Sequence, residues 1–470
     1  MNNRNSVKWS VFSGNGASFF FLLFVPAFLA ASGVSAAEAP LRAPSVERLT
    51  LEGALRDALE NNTDIRVARG EEEIARNGVH IGNAGLLPKV SAVSSVSWKE
   101  PGEGAVSEPE STTTVAELQA SYTLFDGFGN IRTFTRLKNS GRLGALLARE
   151  RIETVVMEVV RAYFAAANSL DQLDASKQAV NISEERLQRA RLRAEYGQAN
   201  TQELLSAEVD ANNDHVALLN ARLGRESAMR SLNVLLGQPV GRQYALADSV
   251  VFSALPPLDS LRLGAFEANA GYLASGREVR DSRLAMLISR SDHYPEVSLQ
   301  AAWGLNRYAG GRDAGLDETT PGTSAAVVMS WDIFNGRQSA IKTENARIAW
   351  LNSRLLHDRA ARELEQELRD GWDSWLNSRE VLGFEEKNIE SARLNFSRTR
   401  ELYVLGQVTG TTFREAQLNL IQAEKAGHRP ATMRRSASST CCAWAAGFSP
   451  PSKRKNNKRS TFFGGIVIFL

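Results

Sequence analysis

Cysteine is almost absent from this chain of 470 residues: Cys441 and Cys442 are the only two, adjacent and near the C-terminus. Neighbouring cysteines make neither a CxxC metal site nor a disulfide that closes a loop, so the fold must hold without cross-links. Histidine is also scarce. His80, His215, His293, His357 and His428 stand far apart, and none has the i, i+4 spacing that sets two ligands on one helical face. Net charge is nearly missing, at +2 from 55 basic and 53 acidic residues, which gives no electrostatic case for a nucleic-acid partner. No convergent cluster of acid, base, nucleophile or metal ligands stands out, so the sequence argues against an enzyme and calls for no cofactor.

Long apolar runs are lacking too. Beyond the N-terminus nothing reads as a membrane-spanning helix, and the run from Phe19 to Ala31 is short for one and carries Pro26. Arg4 and Lys8 precede it, and small residues ending Val34-Ser35-Ala36 come after it. That order is a secretory signal peptide over 1–36, with cleavage after Ala36 or Ala37.

Four segments carry a period of two. Val90, Ala92, Ser94, Val96 and Trp98 alternate with a mostly polar row, as do Leu118, Ala120, Tyr122 and Leu124. Val297, Leu299, Ala301, Trp303 and Leu305 form a third row, and Val327, Met329, Trp331 and Ile333 a fourth. The strands are expected at about 88–99, 116–126, 294–305 and 324–334. Apolar-out, polar-in strands of about ten residues mark a transmembrane β-barrel, although a soluble sheet with one wet face alternates in the same way. Barrels start at about eight strands, so either the chain oligomerises or the sheet is soluble.

The remainder reads as helix of unusual length. No proline occurs between Gly127 and Gly197, where Ile152, Val155, Val159, Tyr163, Ala166, Leu170 and Leu173 recur at steps of three and four. The chain also repeats itself. YTLFDGFGN from Tyr122 aligns with WDIFNGRQS from Trp331 at a shift of 209, which carries Tyr163 onto Trp372 and Gly197-Gln198 onto Gly406-Gln407. Upstream, LPKVSAVSS aligns with YPEVSLQAA at a shift of 207. Each half reads helix, strand, loop, strand, long helix, turn, helix. The first repeat spans 47–245 and the second 257–426.

The order of elements, the LTLEGALRDALENN opening at Leu49, the LLPKVS lead-in to the first strand and the YTLFDG and WDIFNG strand exits resemble the TolC family from about Leu49 to Ala426. The resemblance implies a mainly α fold with a membrane β-barrel contribution. Four strands from each subunit of a homotrimer would make a twelve-stranded barrel, and the helices would continue as an α-barrel through the periplasm. It implies an outer-membrane exit duct for type I protein secretion or tripartite efflux, with a periplasmic adaptor and an inner-membrane transporter of ABC or RND type as partners. A periplasmic coiled-coil or adaptor-like protein without a channel is the alternative. By the same resemblance Gly197, Gln198, Gly406 and Gln407 at the helix turns are candidates for adaptor docking. Glu203, Thr412 and Glu415 are candidates for the pore constriction, Glu203 and Glu415 being taken at matching positions in the two halves. Thr412 stands where the family commonly has an acid and Val408 where a basic partner occurs, so the usual closing network is altered.

Beyond Ala426 the repeat breaks off into GHRPATMRRSASSTCCAWAAGFSPPSKRKNNKRS, with both cysteines, Pro450-Pro451 and a basic run. The stretch 427–470 is expected to be an aberrant tail out of its ancestral reading frame. GC-rich codons for 430–446, read from the third base of each, can spell RYDAKVRELDLLRLGGR, an amphipathic helix ending in glycine.

Overall fold

The computed structural model describes residues 47–99, 111–196, 201–247, 256–310 and 317–426. The expected signal peptide, the docking candidates Gly197 and Gln198, and the tail from 427 lie outside the described residues. The first half runs β1 (Glu47–Leu49), α1 (Leu51–Asn61), α2 (Thr63–Asn77), β2 (Lys89–Lys99), β3 (Ser111–Phe125), α3 (Gly129–Glu195), α4 (Thr201–Leu235) and β4 (Tyr244–Leu246). The second runs α5 (Leu258–Ala268), α6 (Ala270–Ser289), β5 (Glu296–Gly310), β6 (Asp317–Ser330), α7 (Gln338–Val404) and a last helix, α8, over 410–426.

The repeat is visible in local chemistry. The Asn62 side chain ends the break between α1 and α2 by accepting from Ile65 N at 3.1 Å, and Asn269 does the same for Tyr272 N at 2.8 Å between α5 and α6. Each sheet exit turns through two successive left-handed residues, Gly127 and Phe128 in one half and Gly336 and Arg337 in the other. A side chain just before each pair braces the turn against the new helix: Asp126 Oδ2 accepts from Asn130 N at 2.6 Å, and Asn335 Oδ1 from Ser339 N at 3.5 Å. After these turns α3 and α7 both run for 67 residues, about 100 Å each at 1.5 Å per residue.

β2, β3, β5 and β6 form one antiparallel sheet in that order, with β3 and β5 joining the two halves. Register decides which side chains share a face. Ala92 sits opposite Leu118, Leu118 opposite Trp303, Leu299 opposite Val327 and Val297 opposite Met329, so the four apolar rows fall on one face. Val90, Val96, Trp98, Trp303, Val327 and Met329 all stand well exposed there. The strands exceed the expected spans: β3 starts at Ser111, β5 runs on to Gly310 and β6 starts at Asp317. A bulge between Thr123 and Phe125 ends the row at Tyr122 and puts Phe125, not Leu124, opposite Val297. β6 stops at Ser330, before Trp331 and Ile333, because the chain there already bends toward the Gly336 turn.

The main core lies where α1, α3 and α4 meet the short parallel pair of β1 and β4. Leu55, Ile65, Val155, Val159, Phe164 and Leu232 are buried together. Tyr163 Oη lies 3.0 Å from the carbonyl oxygens of both Leu49 and Ala247, tying the two strands to α3. Among the described residues no helix is long and apolar enough to cross a membrane.

The register makes a directional prediction. Val327→Arg, on the apolar face, should cost about 2–4 kcal/mol if that face meets lipid at mid-depth. Val328→Arg, on the opposite face, should be tolerated. Recovery of the two variants in outer-membrane fractions checks this, and equal recovery would show that the face is not in lipid.

Candidate functional site

The described candidate residues gather where the end of α3 and the start of α4 lie beside the α7–α8 turn. α7 ends in a Schellman turn: Gly406 takes φ +75°, its N–H donates to Tyr403 O at 3.1 Å, and Gln407 N donates to Leu402 O at 2.9 Å. A Cβ on Gly406 would meet nothing within 4 Å, so backbone conformation alone asks for glycine there. Thr409 then caps α8, its Oγ1 accepting from Thr412 N at 3.3 Å and sharing hydroxyl contacts with Thr411 and Thr412. Phe413 packs its ring on Tyr403 at 4.7 Å and beside Phe396 at 5.5 Å, which seats the start of α8 against α7.

Behind this aromatic stack lies a run of alternating charge. Arg186 of α3, with its side chain 3% exposed, pairs with Asp210 of α4. Arg414 of α8 grips Asp214 through both terminal nitrogens, at 2.6 and 2.9 Å, and its Nε lies 3.5 Å from Asp210. Arg414 also donates to Gln417 Oε1 at 3.0 Å, while the fully buried Gln417 donates to Ala179 O of α3 at 3.2 Å. Burial pulls the Arg414 guanidinium down, but Asp214 and Asp210 outweigh it and hold the group above its ordinary value, so it stays charged.

Glu203, in the first turn of α4, faces this junction. Its carboxylate lies 3.8 Å from Arg193, whose guanidinium sits 5.3 Å from the Tyr403 ring centroid and donates to Tyr403 O at 3.3 Å. Burial, then the Glu203 charge, pushes the Tyr403 phenol up, against Arg186 and Arg193. Gly410 closes the group: a Cβ there would come within 3.2 Å of Arg186 Nη2 and 3.4 Å of Glu203 Oε1. Glu415 is exposed on α8, and Thr412 is exposed at its N-terminus.

The helical register corrects one pairing. Ala207 and Ala416 are the matched buried positions of α4 and α8, and counting from them sets Glu203 opposite Thr412, while Glu415 corresponds to Ser206. The TQ and TTFR motifs misled because they lie three residues apart in that register. Sequence reasoning also missed Arg186, Asp210, Asp214 and Arg414. The available signal was Asp210 and Asp214 at i, i+4 on one helical face, and an arginine between Phe413 and Ala416 on a buried one.

A second polar concentration lies along α3, α6 and α7. Glu150, Glu153, Glu158, Glu363 and Glu367 line a cleft of about 480 Å³ with Arg161 and Tyr272. Burial, reinforced by Glu278, raises the Glu150 carboxyl above its ordinary range, and burial with Glu363 and Asp370 does so for Glu367. Glu153 is raised by burial although Arg149 opposes the shift at 2.8 Å. Among the described residues no group of three or more His, Cys, Asp or Glu side chains could hold a metal ion.

Comparison with known proteins places these features. Residues 54–238 match the family model described as outer membrane efflux protein. The alkaline protease secretion protein AprF of Pseudomonas aeruginosa is 24% identical over 388 residues, covering 78% of this chain and 77% of that one. The Campylobacter jejuni CmeC outer membrane channel superposes with a TM-score of 0.74 at 16% identity, over 84% of this chain and 86% of that one. VceC, an outer membrane protein of Vibrio cholerae, gives 0.70 at 15% identity, over 85% and 97%.

Two measurements test the electrostatics. Arg414→Ala leaves Asp214 buried without its partner and should lower stability by about 3 kcal/mol. Adding Asp214→Asn should restore much of it, and equal losses in the single and double variants would show that the pair is not coupled. Carboxyls with raised folded-state values stabilise most when protonated, and that contribution fades as pH climbs through values above 4.5. Glu150→Gln with Glu367→Gln should therefore raise the melting temperature near pH 8 by about 2 °C and leave it unchanged near pH 4.

Proposed function

We propose that this chain is a member of the TolC-like family of outer membrane efflux proteins, a reading supported by its fold and by the family match over 54–238. It is an outer-membrane exit duct subunit, with strands in the membrane and helices extending into the periplasm. A channel of this kind is passive: it supplies a walled path, and no chemistry at a catalytic centre is asked of it.

The sheet carries the further reading. Its apolar rows share one face, and within the described residues β2 and β6 are edge strands with one unpaired side each. In hydrocarbon an open edge leaves backbone N–H and C=O groups unsatisfied, so such a sheet must close. Three copies, β6 of one against β2 of the next, make twelve antiparallel strands, an even number as bacterial barrels require. We therefore read the working unit as a homotrimer. A periplasmic rod without a channel is disfavoured because it has no use for a lipid-facing row.

The helix turns at Gly406-Gln407, and by the repeat those at Gly197-Gln198, are the proposed seats for a periplasmic adaptor that links the duct to an inner-membrane transporter of ABC or RND type. The cargo is proposed to be a secreted polypeptide, by similarity to a protein named for the secretion of a protease. Glu415, exposed on α8, is the better candidate for a carboxylate ring at the periplasmic mouth, with Thr412 beside it. Glu203 contributes there through the Arg193 and Tyr403 contacts. Three copies of an exposed carboxylate around one axis concentrate cations.

The mature protein should fractionate with outer membranes as a heat-sensitive trimer and conduct in a planar bilayer; recovery as a soluble monomer sinks the duct reading. In the same bilayers Glu203→Gln with Glu415→Gln should lower cation selectivity without changing trimer yield, most of the effect coming from Glu415. Unchanged reversal potentials would remove both residues from the pore.

A further inference from the structure

Among the described residues the two halves carry unequal cores. α4 has 35 residues, and its last turns bring Met229, Leu232 and Leu236 into the main core against Val155, Val159 and Tyr163 of α3. α8 matches α4 in register as far as Ala426, and its last ion pair to α7 joins Glu424 to Arg393 at 3.1 Å. The counterpart core on α7 is small: Leu364 and Leu368 are buried with Ala265, and no residue of α8 joins them.

The same inequality shows on α7 itself. Ala175 of α3 is 9% exposed, whereas Phe384, its repeat counterpart, is 71% exposed. An open groove of about 460 Å³ lies between α7 and the end of α8, lined by Glu385, Asn388, Ala392, Gln422 and Ala423. Glu385 Oε2 is buried there with no hydrogen-bond partner.

We propose that this face of α7 is the seat of an amphipathic helix that continues α8, and that the helix is encoded in the same gene one base out of the frame that gives residues 430–446. The string RYDAKVRELDLLRLGGR, which the codons of 430–446 can spell in the shifted frame, would supply an apolar stripe for this face. Tyr, Val, Leu and Leu at its second, sixth, ninth and twelfth places recur at steps of four and three, one apolar stripe for α7. The repeat gives an independent check on length: a shift of 209 carries Gly237, the left-handed residue that closes α4, onto position 446, and the shifted string has its glycines at 444 and 445, within two residues of it. Met433 and Trp444 have single codons, and their final guanines begin the alanine and the first glycine of the string.

The inference rests on the repeat and on α7, and it stands or falls apart from the duct reading. Sequencing the gene across codons 430–446 comes first: the shifted frame should spell an amphipathic helix with glycine at its end, and any frame that spells none overturns the proposal. Next, one base is added between codons 426 and 430, both full-length forms carry Phe384→Cys, and the present chain also carries Cys441→Ser and Cys442→Ser so that position 384 is the single thiol in each. Maleimide should label the cysteine readily in the present chain and several-fold more slowly in the restored one, which should also yield more heat-sensitive trimer. Equal labelling in the two forms would overturn the seat on α7 whether or not either form conducts.

Discussion

Backbone hydrogen bonding at the edges of the sheet constrains everything else in this molecule. Four strands in the order β2, β3, β5, β6 satisfy one another internally and leave one side of β2 and one side of β6 without partners. A soluble protein could leave such edges to water. A sheet whose exposed rows hold Val90, Trp98, Trp303 and Val327 is suited to lipid, where an unpaired peptide group costs several kcal/mol. In the proposed trimer the sheet finds those partners in other copies of itself, and the closed assembly would set where the helices that leave it go.

The helices obey that placement through the repeated junction. Gly127-Phe128 and Gly336-Arg337 redirect the chain from sheet to helix by the same pair of left-handed residues, and Asp126 and Asn335 cap the turns in the same way. Two helices of equal length then run from one sheet in a common geometry. Near their far ends Arg186 of α3, Asp210 and Asp214 of α4 and Arg414 of α8 form a cluster in which charges of both signs alternate. Each carboxylate is matched by a guanidinium, so the desolvation of one charge is offset by its neighbour. Such a cluster is rigid when complete and costly when broken, which suits a junction between two helix pairs that belong to different halves of the chain.

Periodicity in the sequence was enough for the elements and their order. Alternation with period two gave the strands because side chains alternate across a pleat, and steps of three and four gave α3 because 3.6 residues make a turn. The shift of 209 gave the duplication because both halves face the same packing problem. Strand ends were less legible. Thr112, Thr113 and Thr114 extend β3 with no apolar row to announce them, since beyond the lipid a strand needs only its partner, here Tyr308 and its neighbours in β5.

The candidate site was legible as a place and only partly as a mechanism. Gly406 and Gln407 declared a helix end because a left-handed residue there favours glycine. Glu203 and Glu415 declared themselves as charges, but a sequence does not say which charge meets a partner. That depends on which faces of α3, α4, α7 and α8 come together, a matter of distances between residues some 200 positions apart. The sequence by itself determined the period, the duplication and the break after Ala426, because these are properties of neighbours along the chain. Only the tertiary structure decided that four apolar rows share one face, that Arg414 holds Asp214, and that Phe384 stands uncovered, because each of these is a relation between surfaces that the folded chain alone brings together.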